Sequence, residues 1–239
     1  MIVRVLWFAA ILSIGAVTFF VQLDRQARVA PTFAASVPEP YRAFAQTHMA
    51  ASALQGDDPE LALEQAEKLV KRRPIPATHL RILAAAQFNA RETQAAGKTV
   101  QIAAKRGWRD TLSQEAVLRL ALQADDKAEA ARRYAALFLN NQTSEELLVE
   151  LGQPVFAQAE GVGRRAFTDV VAGGERWIGF FLARGPRVLA PDAFVEIAEA
   201  SHKRGASYPC APLKRAIKEV GRRDQAAADR LSALAGKTC

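Results

Sequence analysis

Cysteine and histidine are scarce in this chain of 239 residues, which has two cysteines and three histidines. Both cysteines lie in the last thirty residues, so most of the chain cannot be a disulfide-stapled scaffold. The histidines, His48, His79 and His202, are far apart, and neither an H-E-x-x-H pair nor a G-x-S-x-G elbow occurs. We therefore predict a protein that is not an enzyme and that has no metal and no cofactor.

Strand signals are also missing, because no stretch alternates Val, Ile, Thr or aromatic residues with polar ones. Half of the residues are nevertheless apolar, which is enough for a sizeable core. The sequence therefore predicts an all-α protein.

An uncharged apolar run occupies residues 5–21 and continues to Leu23 past a single glutamine. About nineteen residues make roughly 28 Å of helix, which can cross a bilayer. A cleaved signal peptide would need small residues at a processing site, and no such pair appears before Arg28. We predict a retained transmembrane anchor at residues 1–28, followed by a proline-containing extended linker at residues 29–40. The charges on the two sides of the run differ too little to orient it.

Between residues 41 and 141 the sequence repeats every thirty-four residues. Small residues recur at Ala62, Ala96 and Ala130, and acids recur at Asp58, Glu92 and Asp126. Each copy indicates two short helices, and a helix pair cannot bury its apolar face alone. Neighbouring pairs are therefore expected to stack, with the three alanines where helices cross.

These residues resemble the tetratricopeptide repeat family, in which small residues mark the helix crossings and a proline closes each copy. Ala50 and Ala84 match the early small position, and Pro74 matches the closing proline, whereas Leu118 and Trp108 depart from the pattern. The resemblance implies an α-solenoid whose concave face, lined by the first helix of each pair, binds peptide or protein. The solvent-facing candidates on those helices are Gln46, His48, His79, Arg81, Gln87, Asn89, Arg119 and Gln123.

Trp108 lies in a loop between two predicted helices, and it is either a partner anchor or a plug between adjacent repeats. The period fades after residue 141, and residues 142–203 are expected to form degraded helical repeats. Within them Trp177, Phe180 and Phe181 have helical spacing, which fits membrane docking or an apolar ligand but favours core packing.

Residues 204–239 predict an antiparallel helical hairpin. Cys210 precedes its first helix and Cys239 follows its second, so the two thiols are expected to meet in a disulfide. Disulfides persist outside the reducing cytosol. This pair predicts a periplasmic soluble domain and an anchor whose amino terminus lies in the cytoplasm.

The positive net charge of +7 is concentrated at the carboxyl end, where residues 203–239 hold nine basic and three acidic side chains. The candidates for an anionic partner are Lys214, Arg215, Lys218, Arg222 and Arg223. An acidic polysaccharide or anionic lipid would suit them, and a solvated basic face is the alternative. No nucleic-acid-binding motif accompanies the charge, so we predict no nucleic-acid partner.

The architecture resembles membrane-anchored tetratricopeptide proteins that accompany exopolysaccharide assembly or export. The resemblance implies a scaffold for protein–protein interactions in envelope biogenesis, bound to the inner membrane of a bacterium through residues 5–23. Its partner would be envelope membrane machinery or an extended peptide. The alternatives are a chaperone-type receptor for secreted polypeptides or cytochrome maturation, and a divergent enzyme.

Overall fold

A computed structural model describes residues 2–238, which form thirteen α-helices and two short 3₁₀ helices and contain no strand. The all-α prediction is therefore confirmed. The chain divides into two compact units, Met1–Gly107 and Trp108–Cys239. The division falls inside the stretch 41–141 that the period predicts to be a single array.

The first element, α1, is a 26-residue helix, Ile2–Ala27. Its most apolar stretch has a mean hydropathy of 2.1, and none of that stretch is buried. An apolar helix belonging to a soluble core would be mostly buried, and α1 is not. By length and composition α1 can therefore cross a membrane, as the sequence predicts.

The segment after α1 differs from the extended linker that we expected at residues 29–40. It contains the two 3₁₀ helices, Pro31–Ser36 and Glu39–Tyr41, which begin at or next to prolines suited to the first turn of a helix. Ala34 and Val37 are buried with Ala27 of α1 and Ala45. The segment is short and alanine-rich, and it packs against the end of α1.

The first unit continues with four helices: α2 (Ala45–Leu54), α3 (Pro59–Arg72), α4 (Ala77–Asn89) and α5 (Thr93–Arg106). Short loops join α2 to α3 and α4 to α5, and each pair packs as a hairpin. Asp58 caps α3 by accepting a hydrogen bond from the Leu61 amide at 3.0 Å. Ala50 and Ala62 are buried in one apolar cluster, and Ala96 is buried as well. Small side chains thus occupy the positions that the period indicates.

The second unit contains the remaining eight helices. They are α6 (Thr111–Gln123), α7 (Lys127–Leu139), α8 (Glu145–Phe156), α9 (Val162–Ala172), α10 (Glu175–Val188), α11 (Pro191–Lys203), α12 (Cys210–Gly221) and α13 (Gln225–Thr238). Helices α6 and α7 form a third hairpin, in which Ala130 is fully buried. Tyr134, Phe156, Phe167, Phe181 and Phe194 form a chain of ring contacts in the core, with neighbouring centroids 4.5–6.4 Å apart. These aromatic contacts link α7 to α11.

Helices α8 and α9 approach closely at Gly163. A Cβ atom on that residue would lie 2.1 Å from the Val155 carbonyl oxygen, so no larger side chain fits. At Gly179 in α10, by contrast, a Cβ atom would meet nothing within 4 Å.

Arg164 occupies the position where a further repeat, thirty-four residues after Ala130, would require a small residue. It is only 4% exposed, and its guanidinium donates to the Phe156 carbonyl at 2.8 Å, to Glu196 at 2.6 Å and to Asp192 at 2.6 Å. A buried arginine, each of whose three guanidinium nitrogens donates a hydrogen bond, thus stands where the period would require alanine. This substitution gives a physical reason why the period fades in the second half.

At the carboxyl end α12 and α13 pack as a hairpin, burying Leu213, Ala216 and Val220 of α12 with Leu231 of α13. Cys210 is the first residue of α12 and is exposed. Cys239 lies outside the described residues, so its disulfide with Cys210 stays a prediction.

Candidate partner-binding surfaces

Two of the residues predicted to face solvent on the first helices are buried instead. Gln46 is fully buried, and its amide nitrogen donates to the backbone and side-chain oxygens of Gln65 at 3.0 and 2.9 Å. His79 is 4% exposed, and its ring nitrogens contact the Arg73 carbonyl oxygen at 2.9 Å and the Thr47 hydroxyl at 3.3 Å. Burial lowers the pKa of His79. The predicted exposure of these two residues was wrong, because their polar atoms tie α2 and α4 to neighbouring backbone.

The other predicted contacts are accessible to different degrees and belong to both units. In the first unit His48, Arg81 and Gln87 are half-buried and Asn89 is exposed. In the second unit Arg119 and Gln123 are exposed, and Arg119 pairs with Glu115 at 2.9 Å and Glu150 at 3.0 Å. Their roles as partner contacts stay predictions.

An open apolar groove in the second unit brings together two tryptophans that lie far apart in the sequence. It has a volume of about 350 Å³. We call it the tryptophan groove, and its lining residues are Trp108, Arg132, Ala135, Ala136, Leu139, Val170 and Trp177. Trp108 is 50% exposed and Trp177 is half-buried. The alanines of α7 leave room between the rings, so the groove can accept an apolar side chain from outside.

Arginines accompany the tryptophan groove. The Arg109 guanidinium lies 4.7 Å from the centre of the Trp108 ring, a cation–π contact. Arg132 donates to Glu129 at 2.9 Å. Burial tends to raise the pKa of Glu129, but hydrogen bonds from Arg132 and Arg133 outweigh it, and the pKa is lowered. Glu129 therefore stays ionised at neutral pH and pairs with Arg132, which leaves Arg109 as the cation beside the groove that forms no ion pair with a carboxylate within residues 2–238.

Trp177 and Phe181 have different surroundings, although Trp177, Phe180 and Phe181 share a helical spacing. Phe181 is fully buried and stacks on Phe194 with centroids 4.5 Å apart, as the core-packing interpretation requires. Trp177 turns toward the tryptophan groove instead. The sequence could indicate each tryptophan separately, but only the packing of α7, α9 and α10 shows that they share a surface.

A second cleft, of about 390 Å³, lies beside Arg164, Asp192 and Arg223. Arg164 is already engaged by two carboxylates, and Arg223 donates to the Pro186 and Leu189 carbonyls at 2.6 and 2.9 Å. The polar groups here hold helices together. Within residues 2–238, no group of three or more His, Cys, Asp or Glu is arranged to hold a metal ion.

The predicted basic tail separates into structural and free cations. Arg223 closes the end of α10, and Arg222 pairs with Glu219 at 2.7 Å, so these two do not serve as free charges. Lys214, Arg215 and Lys218 share one exposed face of α12, opposite its buried apolar residues. Along the part of the chain that the structure describes, none of these three has an acidic partner. They remain the candidates for an anionic partner.

No protein-family model, curated protein or solved structure matches this chain. Functional inference therefore depends on the residues and their arrangement.

Proposed function

We propose that this protein is a membrane-anchored scaffold that holds a partner polypeptide at the tryptophan groove. The observation that carries the proposal is the pairing of Trp108 and Trp177 across an open, almost wholly apolar surface. Tryptophan and arginine are the residue types most enriched where binding energy concentrates. In the proposed mode an apolar side chain of an extended segment enters between the rings, and an acidic neighbour on that segment meets Arg109.

The proposed architecture is a tetratricopeptide-like solenoid on a single transmembrane helix. Three hairpins support this architecture, because each buries an alanine at the recurring position: Ala62, Ala96 or Ala130. Retention of α1 is part of the proposal. Its Asp24 accepts hydrogen bonds from three backbone amides at the start of α2, so cleavage before Arg28 would remove a group that the folded unit uses.

The proposed location is the inner membrane of a bacterium, with the amino terminus in the cytoplasm and the soluble domain in the periplasm. The predicted Cys210–Cys239 disulfide supports this orientation, since such bonds persist in oxidising compartments. Envelope biogenesis, with exopolysaccharide assembly or export as the specific process, is the role we propose. The free cations Lys214, Arg215 and Lys218 would suit an acidic polymer there.

Site-specific photocrosslinking in cells tests the groove. A benzoyl-phenylalanine placed at Trp177 should give a discrete crosslink to one polypeptide, and Trp108→Ala should weaken it. The matched position is Val162, which is 48% exposed in the same unit but lies outside the groove. Equal crosslinking from positions 177 and 162 would show that the groove is not the binding surface.

A chaperone-type receptor for secreted polypeptides is the second candidate, because an open groove with little polar surface can accept many apolar segments. In that case position 177 would crosslink many polypeptides, and the purified chain would suppress aggregation of an unfolded test protein. A single stoichiometric crosslink partner would favour the scaffold.

Thiol labelling tests the orientation. A membrane-impermeant reagent applied to intact spheroplasts should label Cys210 and Cys239 only after reduction. Labelling that requires membrane permeabilisation would place the soluble domain in the cytoplasm.

A further inference from the structure

The end of α1 sets the depth of its neighbours in a membrane. The apolar run ends at Leu23, and the headgroup layer on each side of a bilayer core is roughly 5–7 Å thick. A helix rises about 1.5 Å per residue, so residues 24–28 cross that layer if α1 spans the bilayer. Whatever packs on these residues lies at headgroup depth.

The start of α2 is fixed at this level by direct contacts. The Asp24 carboxylate accepts hydrogen bonds from the amides of Ala43, Phe44 and Ala45 at 2.9, 3.0 and 2.9 Å. The Phe20 ring stacks on Tyr41 with centroids 5.3 Å apart. A buried cluster that includes Ala27 and Ala45 packs against Leu23 and Tyr41, so the end of α1 and the start of α2 form one packed piece.

Two cations converge on one ring at this exit. The guanidinium of Arg28 lies 5.8 Å from the centre of the Phe44 ring, and that of Arg73 lies 4.3 Å from it. We call Arg28, Phe44 and Arg73 the exit cluster.

The nearby carboxylates are already engaged. Asp24 is held by three amides, and Glu39 is 3.0 Å from Lys68 and 3.6 Å from Arg72. Within the described chain neither Arg28 nor Arg73 forms an ion pair with a carboxylate. Two like charges held near one ring, neither of them in an ion pair with a carboxylate, make an electropositive surface that favours an anion.

The charge of the first hairpin is polarised in the same sense. Lys71, Arg72 and Arg73 end α3 beside the start of α2, whereas Asp57 and Asp58 lie at the opposite end, in the loop between α2 and α3. Apolar side chains are also exposed next to the exit, with Val29 72% and Phe33 43% exposed. Basic and apolar side chains thus occur together at the end of α1, where the carboxylates of Asp24 and Glu39 are already engaged, and the exposed acids of the α2–α3 loop lie at the far end of the hairpin.

We propose that the exit cluster binds the anionic phospholipid headgroups of the membrane that α1 spans, with a headgroup phosphate against Arg28 and Arg73. The proposal rests on membrane anchoring by α1, and it adds a lipid contact that sets how the first unit stands on the bilayer. Exposed Val29 and Phe33 enter the same headgroup layer. The occupant is a lipid headgroup because the depth of the cluster is fixed by α1.

The test uses the full chain in nanodiscs containing equal amounts of phosphatidylglycerol and phosphatidylcholine. Native mass spectrometry then measures the ratio of the two lipids that stay bound. Each cation near an anionic surface strengthens binding by about fivefold, so the double variant Arg28→Gln/Arg73→Gln should lower the ratio by roughly 25-fold. The matched control is Lys98→Gln/Lys105→Gln, which removes two exposed charges of the same unit that lie on α5.

Unchanged lipid ratios in the exit-cluster variant would overturn the proposal, and so would an equal loss in the control variant. Relief of the preference by an excess of inorganic phosphate would indicate an open anion site instead of a headgroup contact. If the variant unfolds at lower temperature in phosphatidylcholine discs, the lipid ratio is measured instead for the wild-type protein at high salt. A preference for phosphatidylglycerol that salt does not weaken would contradict the electrostatic reasoning. Failure of the chain to enter nanodiscs would refute anchoring itself, and crosslinking at Trp177 reads the groove independently.

Discussion

Replacing Asp24 by alanine removes the acceptor of three backbone hydrogen bonds at the start of α2. Asp24 is 4% exposed, so water cannot easily replace its carboxylate. Loss of a helix N-cap costs about 0.5–2 kcal/mol, and hydrogen bonds to charged groups contribute about 1.5–3 kcal/mol each. Because the amides regain some solvation when α2 frays, we expect about 2–3 kcal/mol of local destabilisation.

Hydrogen exchange of the full chain in detergent micelles measures this effect where it occurs. Amides of residues 43–54 should exchange about 30- to 150-fold faster in Asp24→Ala, since each 1.36 kcal/mol corresponds to a factor of ten. Amides of α8, in the other unit, serve as an internal reference. Asp24→Asn should give an intermediate rate, because one oxygen can still accept from Ala43 and Ala45 while its NH₂ group faces the Phe44 amide.

The matched control is Asp57→Ala, which removes an exposed carboxylate in the same unit. Its α2 amides should exchange at the wild-type rate. If Asp24→Ala leaves α2 protected, or if both variants accelerate exchange equally, the end of α1 is not coupled to the first hairpin as the geometry indicates. The support for a retained anchor would then be lost as well.

Three further predictions concern the second unit, and chemical unfolding followed by circular dichroism checks each of them. Gly163→Ala should lower the free energy of unfolding by more than about 1 kcal/mol, because the new Cβ atom would collide with backbone. Gly179→Ala should raise it by up to about 1 kcal/mol, because its Cβ atom meets nothing. If Gly179→Ala were the more destabilising of the two, the close approach of α8 and α9 would be contradicted. Arg164→Met should lower the free energy of unfolding by about 1–3 kcal/mol, because it removes the hydrogen bonds that the buried guanidinium donates, while Asp192 and Glu196 stay accessible to water. The exposed control Arg176→Met should change stability little, and equal effects would refute the structural role of Arg164. Burial raises the pKa of Tyr208 to about 12 from its ordinary value near 10, so the folded state keeps this proton to higher pH than the unfolded state, and the free energy of unfolding should fall by about 2 kcal/mol as pH rises from 10 to 12. Tyr208→Phe should remove that part of the pH dependence, and an unchanged alkaline profile would refute the assignment.

The sequence predicted the exposure of the candidate partner-binding residues only in part. Gln46 and His79 are polar residues on a first helix, and polarity normally indicates exposure. Both are buried because the backbone carbonyls of Gln65 and Arg73 form hydrogen bonds with their polar atoms. These partners lie on other segments of the chain, and no helical period shows whether they are present.

The basic residues of the carboxyl-terminal tail also differ in a way that the sequence does not show. Lys214 and Lys218 are exposed, as their position opposite the apolar residues of α12 indicates. Arg223 looks equivalent in the sequence, yet it donates to two carbonyls at the end of α10. Whether a cation is free or structural depended on a helix terminus more than thirty residues away.

The sequence by itself determined the all-helical class, the membrane-length helix α1, and the hairpins with their recurring alanines. All of these depend on local spacing, because helix periodicity, capping and apolar length are properties of short stretches. Only the tertiary structure decided that Asp24 caps α2, that Arg28 and Arg73 share the Phe44 ring, and that Trp108 and Trp177 line one groove. These contacts join residues 16 to 69 positions apart, and chain folding alone brings them within reach of one another.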